Sequence, residues 1–445
     1  MTRSEAVSAA HGLNVEDLNY ASSSERLGIF RLKKPKAWKR GLVVNAATFA
    51  GRWLMAARDG LRRPTWKSLT SGGVLAVVWS SNQLQSVTPV LDRLGGVDTL
   101  ALHRSLKYPL FPEVEAYGAS LRYLPRLLRS RAGARGYARY GFEYDLDKYL
   151  LTYGYFVTAT KVLTALAPRL VLLANDHTMQ TRVFEHAAHR MGITTAYMQH
   201  ASVTGDFPPL AFDLAFLDGS DAAHKYDQPG SEGTRAFLTG VPKVDAHRAS
   251  ARERATVRRI GVCVNVLDPT ADVVRFVEDL RRLAPRVDVL LRPHPSDGRA
   301  WAEAVRGIEL SDANSEPSFA FLDRVDAVIT GPSNIVLEAA LVGVRSVYVD
   351  FGRLGIDHYG FVERGLCVKA DSAEQALALL DPAHGTAVDI EALKAYCATV
   401  GTAYDGRSAE LVSRLIEEEL TGGVDMRRWR QVPGLTHLTA YELAD

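Results

Sequence analysis

At 445 residues the chain exceeds what one hydrophobic core normally holds, so two domains are expected. Apolar residues make up 47% and charged residues 23%, a globular composition that excludes a low-complexity or fibrous chain. The net charge of only +2 argues against nucleic acid as a partner, yet it is uneven: residues 1–70 hold 13 Lys/Arg against 5 Asp/Glu, and the remainder carries −6.

Residues 1–30 are polar, rich in Ser, Ala and Glu, and are expected to be irregular or loosely attached. A basic stretch from Arg31 to Arg40 follows, and then Leu42, Ala46, Phe49, Trp53 and Ala57 in steps of three and four, which places them on one helical face. Basic flanks with Trp and Phe suit an interfacial helix, so residues 31–63 are expected to meet an anionic membrane surface; a helix docked on the protein body gives the same pattern. The N-terminus lacks an apolar core of signal-peptide type, and no run reaches the roughly 18 apolar residues that span a bilayer. The expected location is cytoplasmic, peripheral at the inner face of the membrane.

From Gly73 the pattern changes. Val74–Val78 is a short, β-rich apolar run that suits a buried parallel strand, and it ends in a polar loop containing Ser81 and Asn82. A helical pattern through Val87 and Leu91 stops at Gly95-Gly96, and a second strand runs from Val97 to Leu102, completing a β-loop-α-β unit. Residues 108–168 read as largely helical and include a second basic stretch, 121–140, with six Arg and no acid. Strands follow at Arg169–Leu173, Thr194–Met198 and Phe212–Leu217, ending at Asn175-Asp176-His177, Gln199-His200 and Asp218-Gly219. Leu238–Asp245 and the charged run Arg248–Arg259 read as a crossover and linker. A second α/β series starts at Ile260–Asn265, with strands at Val287–Leu291, Ala327–Thr330 and Ser346–Val349. A last helix covers 406–419, and the tail from Gly422 has no legible pattern.

The expected fold class is therefore α/β, with two Rossmann-like domains facing across a cleft. A basic N-terminal segment (1–70) precedes an acceptor domain (71–245); a nucleotide-donor domain (258–405) and a C-terminal helix and tail (406–445) follow.

Open α/β sheets bind ligands at the carboxyl ends of their strands, so the polar residues there are the candidates. In Asp326–Asp350 a strand ends at Thr330-Gly331, and Pro332, Ser333 and Asn334 open a helix. Free amide N–H groups and the helix dipole make such a start an anion site, with Ser333 and Asn334 adding side-chain donors and Glu338 placed for ribose hydroxyls. Simple capping by Ser333 gives the same local sequence. In Asp288–Pro295 a strand delivers Arg292 and His294 to a loop stiffened by Pro293 and Pro295, a basic setting that suits a diphosphate. Asn265 and Gly331 close two neighbouring strands. Ser81, Asn82, Gln199 and His200 lie on the acceptor side. Asp176 or His177 is expected as the base for an acceptor hydroxyl, and the sequence does not choose between them.

No metal site is expected. Cys263, Cys367 and Cys397 are too scattered, Asp145-Leu-Asp147 sits in a helical context, and His186 and His189 read as an exposed face. The phosphate-binding and nucleophile motifs tied to resident cofactors are missing, so no cofactor is expected.

The Asn-Asp-His strand tip, Met198-Gln-His-Ala201, the Arg-Pro-His-Pro loop and Gly331-Pro-Ser-Asn…Leu-Glu-Ala together resemble bacterial GT-B glycosyltransferases of surface and capsular polysaccharide assembly, over about residues 170–350. Polysialyltransferases, Kdo transferases and glycerol-phosphate polymerases share variants of these pieces, and Leu238–Asp245 is similar to the Gly-x-Pro turn between their halves. The resemblance implies a metal-independent glycosyltransferase with a CMP-, CDP- or UDP-linked sugar donor and a saccharide or lipid-linked acceptor. Donor phosphates are implied at His294 and Ser333. Alternatives are an alditol-phosphate transferase, a UDP-sugar 2-epimerase-like enzyme, or a non-catalytic binding protein on the same fold.

Overall fold

The computed structural model describes residues 1–20, 41–70, 72–231, 233–248, 256–355, 357–381 and 388–444. Residues 21–40, with the basic run 31–40, and residues 249–255 of the charged linker lie outside them, so the expectations for those stretches are not addressed structurally. Two sheets carry the chain. The first has eight strands in the order β13-β14-β6-β5-β4-β3-β1-β2, the second six in the order β12-β11-β10-β7-β8-β9.

In the first sheet β1 (Val74–Val78), β2 (Val97–Ala101), β3 (Leu170–Leu173), β4 (Thr194–Met198), β5 (Leu214–Leu217) and β6 (Arg235–Leu238) are all parallel. β1, β3 and β5 are buried along their whole length, which is why they read as unbroken apolar runs rather than alternating ones. The second sheet repeats the design with β7 (Arg259–Val264), β8 (Asp288–Pro293), β9 (Glu309–Leu310), β10 (Ala327–Thr330), β11 (Arg345–Tyr348) and β12 (Val368–Lys369), again parallel throughout. The α/β class with two Rossmann-like domains is the observed architecture.

Three differences from the expected elements have physical causes. First, residues 1–20 are not loosely attached. The helix Arg3–Ala10 opens on a capping box between Thr2 and Glu5, and Ala6, Ala10, Leu13, Val15 and Leu18 are buried. They lie against the helix Leu146–Leu166, which is buried on nearly every side and forms the centre of the first domain's core. Asn19 donates to the Thr152 hydroxyl at 2.8 Å, and Arg182 pairs with Asp17 at 2.9 Å. Polar composition concealed a thin apolar stripe.

Second, residues 235–238, expected only as the approach to a crossover, are the strand β6. Third, the tail has structure: β13 (Trp429–Gln431) and β14 (Thr439–Leu443) form an antiparallel pair, and β14 pairs in parallel with β6. The helix Ser408–Thr421 leads there, placing Leu411, Val412, Leu415 and Ile416 in one core with Val74, Phe216 and Phe237. The chain therefore crosses back, and its C-terminal segment completes the first domain.

The crossover is pinned where the two passes meet. The Asp245 carboxylate accepts from the amides of Ser408 and Ala409 at 3.0 and 2.7 Å, and Arg248 pairs with Asp405 at 2.7 Å. Gly240 has φ +74°, and a Cβ there would lie 2.2 Å from Thr399 Oγ1, so both backbone shape and space demand glycine.

Candidate functional site

A cavity of about 730 Å³ lies between the two sheets, within the size range of small-molecule sites. Its first wall is the loop and helix start after β1, with Trp79, Ser81 and Asn82, together with His103 from beyond β2. Its second wall comes from the carboxyl ends of β7, β8 and β10: Asn265, Arg292, His294, Ser333, Asn334 and Glu338. Eight of the residues singled out in the sequence thus share one cleft, although they span 258 positions.

The roles these side chains can play differ. The Ser296 amide donates to His294 Nδ1 at 3.1 Å, so in the neutral imidazole the hydrogen sits on Nε2, a donor suited to a phosphate oxygen. Arg292, 8% exposed, is turned into its own domain: it donates to Ser311 Oγ at 2.5 Å and the Glu316 carbonyl at 2.8 Å, and it lies 4.9 Å from the Phe321 ring centre. Burial lowers its pKa, with Cys263 and Glu316 opposing. Asn265 shapes its loop, accepting from the Leu267 amide and donating its own amide to Asp268, both at 2.7 Å. Gly331 sits behind this loop, where a Cβ would come 3.4 to 3.7 Å from Val349 O, Asp268 and Asn265.

The helix expected from Pro332 begins later, at Ile335, with Asn334 as its N-cap, and runs only to Leu341. Asn334 Oδ1 instead accepts the Ser202 amide at 2.9 Å, a bond that reaches across from the first domain. Glu338, 6% exposed, is met by Lys243 Nζ at 2.6 Å. Burial works against its ionisation, but the charge and hydrogen bond of Lys243 outweigh it and hold Glu338 below the usual carboxylate range. Sequence reasoning missed Lys243. The available signal was a lone basic residue in the Gly-Val-Pro-Lys turn, the only stretch through which the chain first passes between domains.

Asp176 and His177 stand apart from this cleft. Asp176 is 2% exposed, bonded to His177 Nδ1 at 2.9 Å, and it accepts from the Tyr226 hydroxyl at 2.7 Å. Burial alone raises it, yet the His177 and Tyr226 hydrogen bonds keep it low and ionised. His177 stacks on Phe207 with ring centres 4.7 Å apart. The following helix, Met179–Arg190, has Thr178 as its N-cap, and Asn175 Oδ1 orders the turn before it by accepting from the amides of His177 and Thr178 at 3.1 and 2.8 Å. Gln199 ties two strand ends together, accepting from the Asp218 amide at 3.0 Å and donating to the Ala201 carbonyl at 3.0 Å. The His200 carbonyl accepts from Asn82 and Ser86 at 3.5 and 3.4 Å, while burial, reinforced by His177 and Lys243, pushes its imidazole down to about 3.

His186 is half-buried and His189 is exposed, and both have partners. His186 packs near Phe156, and His189 bonds to Glu185 at 2.9 Å and to Thr195 Oγ1 at 2.8 Å. Among the described residues no cluster of three His, Cys, Asp or Glu side chains is placed to hold a metal ion, and no helix is long and apolar enough to cross a membrane.

No family model matches the chain, and no curated protein matches its sequence. Solved structures do match its shape. The UDP-GlcNAc 2-epimerase of Methanocaldococcus jannaschii, solved with UDP-GlcNAc and UDP, is 12% identical with a TM-score of 0.50, covering 78% of this chain and 99% of its own. The UDP-GlcNAc 2-epimerase of Neisseria meningitidis bound to UDP-GlcNAc is 13% identical with a TM-score of 0.48, covering 77% and 98%. MurG of Acinetobacter baumannii is 13% identical with a TM-score of 0.42, covering 78% and 99%. At 12% identity the likeness to the M. jannaschii enzyme bears on the fold alone, two Rossmann-like domains of GT-B type.

Proposed function

We propose that this chain is a nucleotide-sugar-dependent glycosyltransferase acting without a metal ion. The observation that carries the reading is the cleft of about 730 Å³ in which His294, Ser333, Asn334 and Glu338 face Ser81 and Asn82 across the domain boundary. In this reading the donor lies under the second domain. His294 and the Ser333-Asn334 turn meet its phosphates, and Glu338 meets its ribose. Arg292, held by Ser311 and Glu316, stiffens the His294 loop rather than touching the phosphate. Rate enhancement then comes from holding donor and acceptor in line and from neutralising charge on the departing phosphate. Asp176 and His177 serve in this reading as a buried pair that holds the strand tip beneath the acceptor side.

The proposed acceptor is a saccharide carried on a lipid at an anionic membrane surface. The helix Leu42–Gly60 supports this, because Val43, Leu54 and Leu61 are 82%, 72% and 90% exposed beside exposed Arg58 and Arg62.

The test is a thermal-shift panel of CMP, CDP, UDP, GDP and TDP without metal. Ligand bound only by the folded state raises stability by RT ln(1 + [L]/Kd), about 2.7 kcal/mol at a hundredfold excess over Kd. The expected result is a clear shift with one nucleotide that His294→Ala and Ser333→Ala abolish while the fold is kept. A well-folded wild type that responds to none of the five overturns the reading.

A further inference from the structure

A second cavity, about 450 Å³, lies in the first domain beneath the helix Leu42–Gly60 and shares Trp79 and His103 with the cleft. Its lining mixes aromatic and polar groups in a way that suits a saccharide. Trp79, Phe111 and Tyr117 contribute aromatic surface, and four cations, Arg52, Arg63, Arg104 and Lys148, and two acids, Asp59 and Glu113, complete the charged part of the lining.

The cations and Asp59 have partners. Arg52 is bonded to Asp147, Arg104 to Asp59 at 3.3 Å, Lys148 to Asp145 at 3.5 Å, and Arg63 to the Leu106 carbonyl. Glu113 does not: its carboxyl lines the cavity with no hydrogen-bond or ion-pair partner among the described residues. It opens the helix Glu113–Ser120, which fixes it on a rigid element.

We propose that this cavity receives the acceptor, a saccharide, and that Glu113 takes the proton from its attacking hydroxyl. The inference rests on the transferase reading and deepens it. The hydroxyl proton passes to a Glu113 oxygen as the hydroxyl oxygen bonds to the donor's anomeric carbon. The bond from that carbon to the phosphate oxygen breaks, and its electron pair leaves with the nucleotide. Glu113 then returns the proton to water. The Asp176–His177 pair, absent from the linings of both cavities, is not placed for this step. Burial lifts the Glu113 carboxyl to about 7, with Arg52 opposing and Asp59 adding to the shift. Tyr117 and Tyr155 are the other titratable groups that sense its charge. A base poised near neutrality abstracts a proton and still ionises in a large fraction of molecules.

The experiment measures nucleotide release from the donor class found in the panel, with an envelope extract of the source cells as acceptor and with water alone, from pH 5 to 9. Wild type, Glu113→Gln, Glu113→Asp and His294→Ala are compared. Expected for Glu113→Gln is a kcat loss of about a hundredfold or more. Its donor KM and nucleotide-induced thermal shift stay unchanged, the rise in kcat through pH 7 is lost, and Glu113→Asp restores part of the rate. A Glu113→Gln enzyme within threefold of wild type, or one that keeps the pH limb, overturns the inference; an inactive His294→Ala enzyme beside it leaves the donor site standing. A wild type that releases no nucleotide in any condition overturns both.

Discussion

His189 lies between two carboxylates, and the hydrogen bonds it donates to Asp213 first and Glu185 second raise its pKa to about 10. Because the folded value lies above the unfolded value of about 6.5, the contacts stabilise in full below pH 6.5, and the gain is lost as pH rises through about 10. Its side chain is 36% exposed, so solvent screening limits the effect to about 1 kcal/mol or less. His189→Gln should lower stability at pH 6 and flatten the decline between pH 7 and 10, read by urea unfolding across that range. An unchanged slope would mean that the contacts contribute nothing. At this scale the sequence identified which side chains end the strands, since a polar residue closing an apolar run is a local signal. Their partners are non-local. Nothing near Asp176 in the chain announces Tyr226, and Glu113 reads as an ordinary acid in a first helical turn until helices from both sides enclose it.

The helix Leu42–Gly60 shows the same limit at the scale of an element. Its three-and-four spacing was legible, but that spacing allowed either a membrane surface or the protein body as the neighbour. Phe49 meets Tyr117 edge-on at 4.8 Å, and Trp53 lies over Gly118, so both face the protein body. The exposed stripe is Val43, Leu54 and Leu61, an apolar row that periodicity alone could not separate from the docked one in a helix this rich in Ala and Gly. With exposed Arg58 and Arg62 beside it, this stripe should bind sedimenting vesicles that contain phosphatidylglycerol, and release them as salt rises. Leu54→Glu with Leu61→Glu should weaken that binding at least tenfold. Equal binding to purely phosphatidylcholine vesicles would remove the anionic surface from the account.

Across the whole molecule, polar contacts of large consequence join the two domains. Lys243 and Glu338 form an ion pair with side chains only 8% and 9% exposed, beside the bond from the Ser202 amide to Asn334. Removing one member of a buried pair leaves the other charge without its counter-ion, so Lys243→Met should cost about 3–5 kcal/mol in urea unfolding. The double variant Lys243→Met with Glu338→Leu should recover much of that loss, because the stranded carboxylate is gone. If the single variant costs under about 1 kcal/mol, the pair is not closed off as the geometry indicates. Both residues adjoin the proposed donor, so the single variant should also weaken the nucleotide-induced thermal shift.

By itself the sequence determined the α/β class, the two parallel sheets and the strand tips that ring the cleft. Parallel strands buried on both faces must be written as short continuous apolar runs, and the polar break after each run marks its carboxyl end. Tertiary structure decided what local pattern cannot carry. It brought β13 and β14 to the edge of the first sheet, with β14 pairing to β6 some two hundred positions earlier. It turned Arg292 inward and His294 outward at the end of one strand, and it enclosed Glu113 beside the cleft. Each of these depends on contacts between segments far apart in the chain, where packing rather than periodicity selects the partner.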